Sequence, residues 1–219
     1  MNYLRSRYLL WGFLVVALVG VLGTTFWSKL RTLPRQGSSD PRPLEGLRSF
    51  GVVPDFSLIE RSGKPIKLSD LHGKVWIASF IYTTCKETCP VQSAEMAKLQ
   101  ADLKERQNFR LVSISVDPER DTPQALSRYA DQFKADPDRW LFLTGQRKEI
   151  RRLAQEGFRL SAVPVSRNSG SDGNVIFHSS RLVLVDPKKE IRGYYDSSDS
   201  ESLLRLNRDL KTLLRKDWG

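Results

Sequence analysis

Two cysteines and two histidines are all the thiols and imidazoles in the 219-residue chain, so any soft-metal or thiol chemistry must run through Cys85, Cys89, His72 and His178. An all-cysteine zinc or iron-sulfur cage is excluded, because it needs about four cysteine ligands. The cysteines stand in Phe80-Ile-Tyr-Thr-Thr-Cys85-Lys-Glu-Thr-Cys89-Pro90, between an apolar run and a helical pattern. If this segment enters the helix, positions i and i+4 share a face about 6 Å apart, and both sulfurs can point at one small object. A helix amino terminus also favours thiolates through its free N–H groups and positive dipole end. Two such thiolates can bind a soft metal or close a reversible disulfide.

Three readings of the pair stay open on the residues alone. A structural disulfide closing a loop of about five residues would constrain the unfolded chain by only roughly 2 kcal/mol, against about 4.7 for a hundred-residue loop. A thioredoxin-like redox pair is usually C-x-x-C, yet the extra residue does not forbid a disulfide, since about 6 Å between Cα atoms is within range. A metal site needs a third ligand. His72 lies in the polar turn Leu68-Ser-Asp-Leu-His-Gly-Lys74 and reads as an exposed loop residue. His178 follows Val175-Ile-Phe and precedes a strand ending in Leu184-Val-Asp186, so the fold can bring it to the cysteines; its other reading is a core histidine. Two thiolates and one imidazole form a soft, low-coordinate set that suits copper, whereas zinc usually takes a fourth ligand.

The elements that must position these residues are legible as an order. Phe56–Glu60 and Ile66–Leu68, around the turn-prone Arg61-Ser-Gly-Lys64, read as a hairpin. Val75–Tyr82 is a nearly continuous apolar run, as expected of a central strand covered on both faces. Val91–Leu103 carries apolar residues at Val91, Ala94, Ala97, Leu99 and Leu103, the spacing of a helix. Phe109–Val116 and Trp140–Thr144 read as strands, Gln146–Glu156 as a helix, and Thr122-Pro123 as a cap and first position of another helix reaching about Phe133. Ala162–Asn174 reads as a polar loop; Val175–Phe177, Arg181–Val185 and Ile191–Tyr195 read as strands, the last two turning at Asp186-Pro187. Ser198 with Glu201 reads as a capping box for a last amphipathic helix to about Arg215. The order predicts an α/β sandwich of the thioredoxin type. Met96, seven residues after Cys89, reads as a core residue, and Asp117–Thr122 as a strand end followed by a capped helix start.

Ahead of this domain, Tyr8–Trp27 contains no charged residue and is about the length a helix needs to cross a bilayer, with Tyr8, Trp11 and Trp27 near its ends. No small-x-small cleavage site is evident, so the segment reads as a retained transmembrane anchor at residues 8–27 after a seven-residue amino terminus. Residues 28–50, rich in Pro, Gly and Ser, read as a linker, and residues 51–219 as the folded domain. The net charge of +10 is weak evidence for a partner: seven of 35 Lys/Arg and two of 25 Asp/Glu fall in the first fifty residues, which therefore hold half of it. The remaining basic residues are interleaved with acids, which argues against nucleic-acid binding.

Three pieces together resemble the Sco (SenC) family of membrane-tethered copper chaperones: Tyr82-Thr-Thr-Cys85-Lys-Glu-Thr-Cys89-Pro90, Val116-Asp-Pro-Glu-Arg-Asp-Thr-Pro123, and Phe177-His178-Ser-Ser followed by Leu184-Val-Asp-Pro187. The resemblance implies a thioredoxin fold, copper held by Cys85, Cys89 and His178, and delivery of that copper to the binuclear copper centre of a respiratory cytochrome oxidase. It implies a carrier rather than an enzyme, with an accessory dithiol, Cys85 with Cys89, able to close a disulfide and to act on the acceptor subunit's cysteines. It also implies a short amino terminus inside and the domain outside the cytoplasm. Seven residues leave no room for a transit peptide, so the expected location is a bacterial inner membrane with the domain in the periplasm, where a thioredoxin-like reductant would keep the cysteines reduced. The family often has Pro and Asp after the first cysteine, where this chain has Lys86 and Glu87; Lys86 puts a cation beside the thiolates, which bears on affinity and partner choice.

A thiol-disulfide oxidoreductase is the alternative, resting on the same cysteines. A peroxidase fits less well, because P-x-x-x-T-x-x-C would require proline and threonine where Ala78 and Tyr82 stand.

Overall fold

The computed structural model describes residues 47–160 and 179–216. The apolar run 8–27, most of the linker, the loop 162–174, the strand read at 175–177 and His178 lie outside the described residues. Among the described residues no helix is long and apolar enough to cross a membrane.

In chain order the elements are β1 (Ser57–Glu60), β2 (Pro65–Lys67), a single 3-10 turn at Leu68–Leu71, β3 (Val75–Ile81), α1 (Thr88–Asp102), β4 (Phe109–Ser115), α2 (Pro123–Gln132), β5 (Trp140–Thr144), α3 (Arg147–Arg152) running on into a π turn at Leu153–Gly157, β6 (Arg181–Val185), β7 (Ile191–Asp196) and α4 (Ser200–Arg215). The strands form one mixed sheet in the order β2-β1-β5-β4-β3-β6-β7. β3, β4 and β5 are parallel neighbours, and β6, β7 and the β1–β2 hairpin extend the sheet antiparallel on either side. This is the mixed α/β, thioredoxin-like sandwich that the order of elements predicts.

The sheet is covered on both faces, and β3 shows why its sequence is apolar throughout: all seven of its residues are buried. Successive side chains alternate between faces. Val75, Ile77 and Ile81 meet Met96 and Leu99 of α1, Leu126 and Tyr129 of α2, and Leu206 and Leu210 of α4. Trp76, Ala78 and Phe80 meet Ile150, Leu153 and Phe158 on the other side. Phe158 stands edge-on to both Trp76 and Phe80, with ring centroids 6.0 and 5.1 Å away. Within the core, polar atoms of three of these buried residues are paired: Ser79 Oγ and Ser113 Oγ lie 2.8 Å apart, and Trp140 Nε1 donates to Ser113 Oγ at 2.9 Å.

Ends of elements follow local chemistry with two departures. Thr122 caps α2 as its sequence predicts, its side chain accepting from Ala125 N ahead of Pro123 at the first position. The last helix is capped by Asp199 and not by Ser198: the Asp199 carboxylate accepts from Glu201 N and Ser202 N at 3.3 and 3.1 Å. A carboxylate there also meets the positive end of the helix dipole, while Ser198 N is turned away to Asp196 Oδ1. The second departure is at the domain's start. Leu47–Phe50, placed in the linker by composition, are bonded into the sheet edge: Phe50 N donates to Ile191 O at 2.9 Å and Arg192 Nη1 to Leu47 O at 2.7 Å. Arg192 is itself fixed by the fully buried Asp186 carboxylate at 2.7 Å.

β7 also contains a tight spot. A Cβ added at Gly193 would fall 2.5 and 2.7 Å from two ring carbons of Tyr195, whose hydroxyl is held by Asp209 at 2.5 Å. Gly193→Ala is therefore expected to destabilise the domain by about 1–3 kcal/mol, the range for overpacking, read as a lowered midpoint of thermal unfolding. An unchanged midpoint would mean that the Tyr195 ring gives way freely.

Candidate metal centre

Parallel pairing of β3 with β4 places Ile81 opposite Ser115, so the loops leaving these strands lie side by side. One is the cysteine loop and the other is Val116–Thr122. In open α/β sheets this carboxyl end of the strands is where ligands collect.

The helix does not begin at Cys85, as the i, i+4 argument supposes. It begins at Thr88, with Cys85 in the turn before it and Cys89 in its first turn. The sulfur of Cys85 nevertheless faces Cys89, because Cys89 N donates to Cys85 Sγ at 3.4 Å, satisfying one of the free N–H groups of the helix start. Cys85 N donates back to Tyr82 O at 3.1 Å, and Thr88 Oγ1 lies 3.8 Å from Cys85 Sγ. Pro90, also in the first turn, removes no hydrogen bond the helix needs. Both cysteines are buried and both are free thiols.

Their ionisation is split in opposite directions. Burial pushes the Cys85 thiol up, but hydrogen bonds from the Cys89 thiol, from the N–H groups of Cys89 and Glu87, and from the Tyr82 hydroxyl together bring it down to about 6. Burial and the hydrogen bond it gives to Cys85 push Cys89 up to about 12. The pair therefore shares one proton at neutral pH, carried on Cys89, with the charge on Cys85. Tyr82 is raised by burial and by the same contact with Cys85. Lys86 and Glu87 are exposed, and the leading groups acting on Cys85 do not include the Lys86 ammonium.

The inward face of α1 is only partly the one its apolar residues mark: Leu99 is buried and Ala97 and Leu103 pack against the core. Val91 and Ala94 are exposed, and the buried positions are Cys89, Gln92, Ser93, Met96 and Leu99. The polar members have partners: Ser93 Oγ lies 3.0 Å from Tyr129 Oη, and Gln92 Nε2 donates to Ser179 O at 3.3 Å and Arg181 O at 3.0 Å. Gln92 stands three residues after Cys89, so the residue following His178 in the chain is tied to the cysteine helix. His72 is exposed in the turn before β3, at the opposite end of that strand from the cysteines. Seven residues of strand put about 20 Å between them, so His72 is no ligand to this pair. Met96 is fully buried in the core. Among the described residues no three His, Cys, Asp or Glu side chains cluster to hold a metal.

Sequence reasoning missed the residue that anchors the cysteine loop. Asp121, fully buried, accepts Thr83 Oγ1 at 2.6 Å, Thr83 N at 3.1 Å and Ser115 Oγ at 2.6 Å. Asp117 beside it is raised by burial and by the Asp121 charge. The only signal for Asp121 was its place in Val116-Asp-Pro-Glu-Arg-Asp-Thr-Pro123, which reads equally well as a helix start.

A thioredoxin-like sandwich with a half-ionised thiol pair at the head of its first long helix defines a protein that handles soft metals or disulfides. The SCO1/SenC family model matches residues 47–215, and the chain belongs to that family. It is 34% identical over 162 residues to the SCO1 protein homolog of Bacillus subtilis, covering 73% of this chain and 81% of that protein. Among solved structures it is similar to BsSco, described as having a disulfide switch and as a member of the Sco family of cytochrome c oxidase assembly proteins (TM-score 0.62, 32% identity, 76% of this chain and 95% of that one). It is also similar to Bradyrhizobium japonicum ScoI with copper bound (TM-score 0.60, 26% identity, 72% and 99%).

Proposed function

We propose that this chain is a membrane-anchored copper chaperone that holds copper through Cys85, Cys89 and His178 and passes it to the binuclear copper centre of a respiratory cytochrome oxidase. The observation that carries the reading is the pair of buried free thiols, Cys89 N donating to Cys85 Sγ at 3.4 Å, with Ser179 O tied to Gln92 on the same helix. A thiolate at Cys85 is ready to ligate without first losing a proton. Cys89 releases its proton as the metal arrives, because ligation and deprotonation are coupled. An imidazole completes a soft three-ligand set. The acceptor subunit, with its own cysteines and histidines, takes the ion by stepwise ligand exchange, so the cargo moves without chemical conversion.

Tyr8–Trp27 is the anchor in this reading and the segment to about residue 46 the tether, with the domain on the periplasmic side of a bacterial inner membrane. Oxidation of Cys85 and Cys89 to a disulfide would remove two ligands, so a thioredoxin-like reductant is needed to reload the carrier. The test is titration of the reduced full chain in detergent with Cu(I) against a competing chelator. One copper bound per chain is expected, and none after the cysteines are oxidised; equal binding by the oxidised chain would overturn the assignment. The low-lying Cys85 thiol favours a second use of the same pair, as a reductant of the acceptor's cysteines.

A further inference from the structure

The geometry points to Asp121 as a positioning residue that holds Cys85 against Cys89 by clamping the cysteine loop to the end of β4. Its carboxylate lies between two loops that share no covalent link nearby. Thr83, two residues before Cys85, gives it both a hydroxyl and a backbone N–H, and Ser115 gives it a second hydroxyl from the last position of β4. Ser115 Oγ also accepts from Asp117 N at 3.1 Å, and Asp121 N donates to Asp117 O at 2.9 Å, so the carboxylate is fixed from its own side as well. Burial excludes water as a substitute partner. The attachments of Cys85 itself, its N–H to Tyr82 O and its sulfur to Cys89 N, Thr88 Oγ1 and the donors of Glu87 and Tyr82, all lie within residues 82–89. The Thr83 anchor thus decides where the turn before the helix sits. The inference deepens the copper-and-dithiol reading and rests on it for its meaning, but it can be measured without copper.

The readout is the equilibrium between the dithiol and glutathione in the metal-free full chain. Oxidised glutathione loses its S–S bond and takes up two electrons and two protons; the Cys85–Cys89 pair gives up two electrons and its one proton and gains an S–S bond, and the second proton comes from the medium. The constant reports how strongly the fold brings the two sulfurs together. Asp121→Ala leaves Thr83 N–H and two hydroxyls unpaired, and the constant is expected to fall about tenfold. Asp121→Asn keeps an acceptor for Thr83 and can donate to Ser115 Oγ, so it should stay within about threefold of the parent. Ser113→Ala is the control: it breaks a buried hydrogen-bonded trio on the same strand, two residues earlier, and should lower the thermal midpoint without moving the constant.

A folded Asp121→Ala chain with an unchanged constant overturns the inference, and so does an equal fall in Ser113→Ala. If Asp121→Ala does not fold, Thr83→Val removes one hydroxyl at constant shape; a fall of about threefold supports the clamp and no change overturns it. Copper titration of the parent chain runs alongside. Failure there removes the chaperone reading and leaves the exchange constants to judge Asp121.

Discussion

Replacing His178 with alanine is expected to weaken copper binding by about 10²-fold or more, since even losing a partner that merely orients a ligand costs about 10–100-fold. The two thiols should remain fully able to form their disulfide. The argument starts at Gln92, whose amide holds Ser179 O and Arg181 O to the helix that carries Cys89. The chain is therefore pinned to the cysteine site one residue after His178, although Gln92 itself ligates nothing. Gln92→Leu, which keeps the volume but drops both hydrogen bonds, should give a smaller loss of copper affinity in the same direction. Competition against a chelator measures both variants, and glutathione exchange serves as the reference for the thiols. Unaltered copper binding in His178→Ala would remove the third ligand from the assignment. A parallel loss of disulfide formation would make the histidine a structural residue.

The parts of this molecule legible in its sequence are those fixed by local pattern. β3 announces itself because seven residues buried on both faces must all be apolar or small, and Thr122-Pro123 because a cap and a first-turn proline need no distant partner. Scarcity singles out the two cysteines and leaves His72 and His178 as candidates, and His178 as the third ligand is an expectation that rests on the resemblance to the Sco family. What the sequence hides is set by tertiary partners. The inward face of α1 carries Gln92 and Ser93 because carbonyls of the β6 edge and the Tyr129 hydroxyl await them, so the apolar stripe is right at Ala97, Leu99 and Leu103 but wrong in the first turns, at Val91 and Ala94. Leu47 belongs to the domain because a guanidinium reaches it from β7, 145 residues away in the chain. Asp121 looks like part of a helix start until the parallel register brings Ile81 and Ser115 together. In each case a polar side chain is buried with a partner distant in sequence, which periodicity cannot register.

The split between the two thiols predicts a large asymmetry between their serine variants. In the reduced, metal-free chain at pH 7, Cys85→Ser should alkylate with iodoacetamide at least about 100-fold more slowly than Cys89→Ser, because only the thiolate attacks. Cys89→Ser keeps the donors that lower Cys85: the N–H groups of residues 89 and 87, the Tyr82 hydroxyl, and a serine hydroxyl where the thiol was. Its single thiol should remain largely ionised at pH 7. Cys85→Ser keeps the first cause of the upward shift at Cys89, burial, and loses only the contribution of its neighbour. Its single thiol stays protonated and unreactive. The pH profile fixes the sign. A thiol lowered to about 6 is slow below that pH, gains rate as pH rises through it, and is level by about pH 8, where a thiol at the ordinary value of about 8.5 is still climbing. Equal rates for the two variants, or a Cys89→Ser profile still rising at pH 8, would mean that Cys85 carries no charge at neutral pH. With both thiols protonated the ion would have to displace two protons, and loading would weaken about a hundredfold with each unit of pH below the ordinary thiol range. With the charge on Cys85, only the Cys89 proton has to leave, so copper affinity falls about tenfold per pH unit between about 8 and 7 and more steeply once the medium drops below about 6.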